Sequence, residues 1–149
     1  MDASIRFFSE EVRFVLKEKR KIRSWLSIVL QEESCTPGNI NIIFCGDEYL
    51  AGLNLAYLDH NTFTDILTFP LEEIKGKISG DIYISIDRIR ENSKIFHQQF
   101  EEELNRVMVH GILHLVGYKD IKSKDKKGMT EKEDYYLARM KHINVSRGT

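Results

Sequence analysis

The chain has 149 residues, of which 42% are hydrophobic and 30% charged, and its 22 Lys+Arg against 23 Asp+Glu give a formal net charge of −1. This length is typical of one domain that removes roughly 70% of its unfolded surface from water, and 8 Phe and 6 Tyr residues supply enough apolar volume to exclude wholesale disorder. No apolar run reaches the length of about 18 residues that suggests a membrane helix, and the N-terminal residues lack the basic and apolar regions of a secretory signal, so we expect neither a membrane span nor secretion.

The first half of the chain alternates between strand-like and helix-like patterns. In chain order these patterns predict a strand over residues 4–8, a long helix with a stripe of apolar residues that ends near Glu33, a turn at 36–38, a strand over 39–45, and a helix from Asp47 to about Tyr57. The stripe of the long helix consists of Ile22, Trp25, Leu26, Val29 and Leu30.

The second half is predicted to continue with strands over 64–69 and 81–86, a helix from Asp87 to about Phe96, and a strongly helical segment over 101–116. Thr130 and Glu133 have the spacing of a capping box for a last helix that ends near Lys141, after a polar loop. Four strands among about five helices predict one α+β domain over residues 1–149, with a small mixed sheet.

The chemistry-bearing residues concentrate in the run 109–120, VHGILHLVGYKD. His110 and His114 lie four residues apart on the predicted helix, so both imidazoles project from one face, as two ligands of one metal ion require. Gly117 can adopt a positive φ angle, end the helix and turn the chain back, which would bring Asp120 to the same face. Three protein ligands with an open position are typical of catalytic zinc. The alternative is that both histidines are ordinary helix residues.

The same spacing is that of the metzincin metalloproteases, with Asp as the third ligand. In those enzymes the residue after the first histidine is a glutamate that serves as general base. Here that residue is Gly111, and this difference argues against a peptidase.

The run HGILHLVGYKD resembles the signature HGxLHLxGYDH of the YbeY family, the bacterial metal-dependent endoribonucleases of rRNA maturation. The segments TDILTFP at 64–70 and GDIYIS at 80–85 are similar to that family's TDVLSFP and GDIxIS strands, and Met129 and Glu133 fit its usual ending. The matches extend over about residues 53–133, in the family's order. The signature is matched at His110, Gly111, Leu113, His114, Leu115, Gly117 and Tyr118.

The resemblance implies a cytoplasmic, zinc-dependent endoribonuclease that cleaves single-stranded RNA, with the ion held by His110, His114 and Asp120. It also implies maturation of the 3′ end of 16S rRNA, quality control of the small ribosomal subunit, and that subunit with its assembly factors as partners. No membrane or DNA partner is expected. A site of two histidines and one aspartate can also accept other divalent ions.

Two positions depart from the family pattern. The third ligand is usually a histidine, whereas this chain has Asp120, an equally sound zinc ligand. An arginine that the family associates with activity aligns with Leu58. His60, two residues further on, is a candidate catalytic replacement if it is protonated, and the alternative is an exposed loop histidine. His114 is the other residue to which we assign a catalytic role.

No general base is evident in the sequence. Asp65 and Asp81 lie on predicted strands that can face the site, with the alternative that they bond turns or backbone amides. The missing arginine leaves open a second function, that of a zinc-stabilised RNA- or ribosome-binding assembly factor with little catalysis of its own.

The near-zero net charge is unevenly distributed along the chain. Basic residues cluster at 17–23 and again at 119–127, directly past the predicted ligands. The second cluster is typical of a solvated loop, and beside a metal site such a loop can also gather phosphates. The lysines of this cluster are Lys119, Lys122, Lys124, Lys126 and Lys127.

Overall fold

A four-stranded sheet with helices on both faces makes up the fold, which the computed structural model describes for residues 4–58, 64–71 and 76–143. The strands are β1 (Ile5–Ser9), β2 (Thr36–Cys45), β3 (Ile66–Pro70) and β4 (Lys77–Ser85). The helices are α1 (Lys19–Glu32), α2 (Asp47–Leu58), α3 (Ile86–Ile95), α4 (Phe100–Val116) and α5 (Ser123–Met140). Within the described ranges, the predicted α+β class, four strands and five helices are confirmed, and no helix there is long and apolar enough to cross a membrane.

The sheet is mixed and has the strand order β1-β2-β4-β3. β1 and β4 both pair with β2 in parallel, and β3 pairs with β4 antiparallel. The parallel pairs require crossover connections, which the helices α1, α2 and the chain leading to β4 provide. In this order the antiparallel strand β3 lies at one edge of the sheet.

The main core lies on the face of the sheet that α1, α4 and α5 cover. All five members of the predicted α1 stripe are buried there, which confirms that helix and its orientation. Trp25 is fully buried, and its indole N–H donates to the backbone oxygen of Tyr136 at 2.7 Å. This bond joins α1 to α5 across the core.

A smaller cluster lies on the opposite face of the sheet, under α2. It consists of Cys45, Leu50 and Leu67, with aromatic side chains packed around it. Cys45 and Cys35 are both free thiols. Burial raises the pKa of the Cys45 thiol to about 12, so this cysteine behaves as an inert core residue.

The predicted turn at 36–38 is wrong, because these residues begin β2. Thr36 pairs with Lys77 and Pro37 with Ile78, and the register shifts between Pro37 and Ile40. β1 pairs with β2 only from Ile40 onward, so Pro37 has a neighbouring strand on one side only. A proline is tolerated there because its missing N–H faces no second partner.

The predicted helix from Asp87 to about Phe96 is confirmed within one residue, although Asp87 is not its cap, whereas the predicted start of the last helix is wrong. α3 is capped by Ser85, whose hydroxyl accepts the Arg88 N–H at 3.2 Å, while the Asp87 carboxylate accepts the Asp47 N–H at 2.9 Å. α5 begins at Ser123, so Thr130 lies within the helix and forms no cap. The polar stretch from Ser123 is helical because lysine is a good helix former, which corrects the expectation of a loop over 119–127.

A glycine determines how closely α4 packs against the sheet. A Cβ atom at Gly111 would lie 2.9 Å from both Ile66 Cδ1 on β3 and Ile82 Cγ2 on β4. Real Cβ atoms do not approach other carbons so closely, so only glycine lets the helix axis come this near to the strands. Nor can a glutamate occupy this position, which gives a structural reason for the absence of the peptidase general base.

We expect Gly111→Ala to lower the free energy of unfolding by about 1–3 kcal/mol, because the added methyl overpacks the contact between α4 and the sheet. Gly128→Ala is the matched control, since a Cβ there meets nothing within 4 Å and the change within α5 is expected to stabilise by up to about 1 kcal/mol. Urea unfolding of both variants measures the difference. Equal stability of the two variants would contradict the close packing of α4 against the sheet at Gly111.

Candidate metal centre

Two histidines of α4 form the base of the site. His110 and His114 are one helical turn apart, and their rings meet edge to face with centroids 4.5 Å apart. Their side chains are 21% and 24% exposed. Both rings are therefore held by packing and still reachable from solvent.

A glycine turn brings the third group to these rings. α4 ends at Gly117, whose φ of 127° is one that side chains rarely permit, and the Tyr118 N–H returns to the Leu113 carbonyl at 3.0 Å. The chain then folds back so that Asp120 Oδ2 lies 3.4 Å from Nε2 of His110 and 3.4 Å from Nε2 of His114. The structure thus brings together the three side chains that the spacing singled out.

Two of the three donor pairs have the separation that a small metal ion needs. Metal bonds of about 2.0–2.1 Å in a tetrahedral arrangement place their donor atoms roughly 3.4 Å apart. The two observed Nε2–Oδ2 distances agree with that value, and the three residues offer donors within 4.8 Å of one another. Three protein ligands leave the fourth tetrahedral position of such an ion for water or substrate.

The second nitrogen of each ring is held by a hydrogen-bond partner. His110 Nδ1 lies 2.6 Å from Glu133 Oε2, and His114 Nδ1 lies 3.0 Å from the backbone oxygen of Tyr118. A carbonyl or an ionised carboxylate can only accept, so each Nδ1 carries the proton and each Nε2 presents its lone pair. This arrangement gives both rings the tautomer that a metal ligand requires.

Glu133 is the residue of the site that the sequence pattern misassigns. The pattern predicts that it closes a capping box, but its side chain is 8% exposed, points to His110, and also accepts from Arg106 Nη1 at 2.8 Å. Arg106 in turn binds Asp134 at 2.6 Å. A signal for its true role lies in the buried stripe of α5, because Met129, Glu133 and Tyr136 share one inward face and an acid on such a face needs a partner.

Burial and the neighbouring carboxylates shift the pKa of His110 in opposite directions. Burial lowers the pKa of His110, but the hydrogen bond and charge of Glu133 and the charges of Asp120 and Asp65 raise it overall. Burial raises the pKa of the Asp65 carboxyl. The charge of His110 lowers this pKa, and the charges of Glu133 and Asp120 raise it. Asp65 directly precedes Ile66 of β3, which packs against Gly111, the neighbour of His110.

The other sequence candidates are not brought to the site within the described residues. Asp81 accepts a hydrogen bond from Asn41 Nδ2 at 3.0 Å. It neighbours Ile82, which faces α4, so the alternation of the strand directs Asp81 to the opposite face. Leu58 is the last residue of α2, and His60 lies outside the described residues.

Comparisons with known proteins agree on one family. The family model described as Endoribonuclease YbeY matches residues 5–141. The chain is 45% identical over 137 residues to a protein named Endoribonuclease YbeY from Cytophaga hutchinsonii, covering 92% of this chain and 96% of that protein. It is 46% identical over 136 residues to the protein of that name from Flavobacterium johnsoniae, covering 91% and 96%. Its fold is similar to the solution structure of TM1509 from Thermotoga maritima, with a TM-score of 0.64, 30% identity, and coverage of 91% and 88%.

We expect Glu133→Gln to weaken zinc affinity by about 10–100-fold, since an amide orients and polarises the His110 ring less well than a carboxylate does. Asp134→Asn is the matched control, because Asp134 also binds Arg106 but is exposed to solvent. Competition with a chromophoric chelator measures both affinities. Wild-type affinity in the Glu133 variant would show that this carboxylate has no part in the site.

Proposed function

The chain belongs to the Endoribonuclease YbeY family and is an endoribonuclease, and we propose that it is a zinc-dependent enzyme that cleaves single-stranded RNA during rRNA processing. Its proposed role includes maturation of the 3′ end of 16S rRNA and quality control of the small ribosomal subunit. The observation that carries the proposal is the triad of His110, His114 and Asp120, in which Oδ2 of Asp120 lies 3.4 Å from Nε2 of each histidine.

The residues present fit a single divalent ion. Zinc suits two imidazoles and a carboxylate, and the same donors accept other divalent ions. When bound, such an ion supplies a Lewis acid for a phosphate oxygen and lowers the pKa of a water.

The chain's own residues then have separate tasks. His110 and His114 hold their Nε2 lone pairs toward the ion, and Glu133 and the Tyr118 carbonyl keep those rings from turning. Asp65, half-buried just before β3, is the carboxyl outside the triad that we assign to accept a proton. The seat of Gly111 on the sheet leaves no space for a glutamate after His110.

An exposed group of lysines next to the triad suits the RNA backbone. Because Asp120 is used as a ligand in this proposal, it offsets the lysines less than a formal count suggests. The group lies on the segment after Gly117 and on the first turns of α5, where it can gather phosphates at the open side of the site. We call Lys119, Lys122, Lys124, Lys126 and Lys127, all exposed, the α5 lysine group.

The proposed setting is the cytoplasm, with precursor rRNA as the substrate. The small ribosomal subunit and its assembly factors are the proposed partners, and neither a membrane nor DNA is among them. The alternative of a zinc-stabilised binding factor with little catalysis predicts RNA binding without cleavage.

We expect His114→Ala and Asp120→Ala each to lose bound zinc and to lower cleavage of an unstructured RNA by more than about 100-fold, beyond the range of outer partners. His142→Ala, at an exposed histidine outside the triad, should leave both unchanged. Metal analysis and a cleavage assay on the same preparations provide the measurements.

Full zinc content and activity in both triad variants would contradict the metal site. A chelator arm separates the two functions. Cleavage that a chelator abolishes and zinc restores supports the enzyme, whereas RNA binding that persists with no cleavage before or after chelation supports the binding factor.

We expect replacement of Lys124, Lys126 and Lys127 by Gln to weaken binding of single-stranded RNA. The slope of log K against log salt concentration should become less negative by about 0.7 for each phosphate that the protein no longer neutralises. The matched control replaces three exposed lysines elsewhere, Lys17, Lys19 and Lys94. RNA binding at several salt concentrations gives the slopes. A larger effect of the control set would place the RNA-binding surface away from α5.

A further inference from the structure

A buried carboxylate lies at the end of α1, behind the triad. The Glu33 side chain is 9% exposed and accepts three hydrogen bonds. The donors are Tyr118 Oη at 2.8 Å, Lys132 Nζ at 3.1 Å and the hydroxyl of Tyr136, which forms the shortest of the three bonds. Glu33 thereby joins the end of α1 to α5 and to the turn that leads to Asp120.

The position of this carboxylate is electrostatically unfavourable by itself. Glu33 is the C-cap of α1, where the exposed carbonyl ends of the helix give a partial negative charge that disfavours an acid. Burial raises the pKa of Glu33, but the hydrogen bonds from Tyr136, Tyr118 and Lys132 lower it overall. The three donors thus outweigh the effect of burial and hold the pKa of Glu33 below its usual value.

One of these donors also contacts a residue of the triad. Tyr118 binds Glu33 through its hydroxyl, and its backbone oxygen is the partner of His114 Nδ1 at 3.0 Å. Tyr118 follows Gly117, whose conformation other residues rarely adopt, and a glycine constrains the chain less than any other residue. A bond at the far end of the tyrosine ring limits where its carbonyl can lie.

We propose that Glu33 is a positioning residue for the metal site, acting through Tyr118 on the ring of His114. By anchoring the Tyr118 hydroxyl, it fixes the carbonyl that sets the tautomer and orientation of His114. It also holds the start of the turn that carries Asp120 to the ligand position. This inference rests on the proposed zinc site and adds to it a residue at the end of α1, 85 positions before Tyr118 in the chain.

The neighbouring residue supplies a matched control. Glu32 also joins α1 to α5, through Arg139 at 2.8 and 2.9 Å and Tyr135 at 3.2 Å. These bonds do not involve Tyr118. Removal of the Glu32 carboxylate therefore tests the docking of α1 on α5 without altering the path to His114.

The experiment measures zinc affinity by chelator competition, and the absorption spectrum of the protein loaded with Co²⁺, for Glu33→Gln, Tyr118→Phe, the double variant and Glu32→Gln. We expect each single change in the path to weaken zinc binding by about tenfold, at the low end of the range for outer partners, and to alter the Co²⁺ spectrum. The double variant should be no weaker than either single variant, since both break the same path. Glu32→Gln should stay within about twofold of wild type, as exposed ion pairs contribute little.

Each outcome decides the inference. Folded Glu33→Gln and Tyr118→Phe proteins with wild-type affinity and spectrum would overturn it, and so would an equal loss in Glu32→Gln, which would indicate helix docking alone. If Glu33→Gln does not fold, Tyr118→Phe decides, because it leaves the other two donors of Glu33 in place. A wild-type protein that binds no zinc would instead overturn the proposed function, and this inference with it.

Discussion

The close contact of α4 with the sheet is the constraint on which the site depends. Gly111 lets the helix rest directly on Ile66 and Ile82, and this fixes the height at which the adjacent His110 stands above β3. The same contact is repeated one turn later, where a Cβ at Gly80 would lie 2.7 Å from Leu115 Cδ2. Two glycines, one on the helix and one on β4, therefore define how the helix that carries His110 and His114 lies against the sheet.

A set of partly buried hydrogen bonds then holds the rings of His110 and His114 on that helix. Glu133 of α5 holds His110, the Tyr118 carbonyl holds His114, and Glu33 at the end of α1 holds Tyr118. Each of these groups would be costly to bury alone, and each is satisfied by the others. Such outer partners contribute to a metal site beyond the ligands themselves, because they select the tautomer and limit ring rotation.

The arrangement of charges reconciles a net charge of −1 with an RNA substrate. Several acids are used inside the protein, where Glu33, Glu103 and Glu133 are mostly buried. The lysines next to the triad are exposed. A formal count weighs both groups equally, whereas a phosphate that approaches from solvent interacts chiefly with the exposed charges.

The sequence by itself determined the triad and the sheet-and-helix class, because these follow from local geometry. A separation of four residues on a helix places His110 and His114 together, and a glycine-ended helix with a short return brings Asp120 to them, all within one run of 11 residues. Only the tertiary structure decided the true start of β2, the exclusion of Asp81 from the site, and the roles of Glu133 and Glu33. Those roles depend on contacts between residues 23 to 85 positions apart, and hydrophobic periodicity does not encode which distant polar groups will meet once the helices pack.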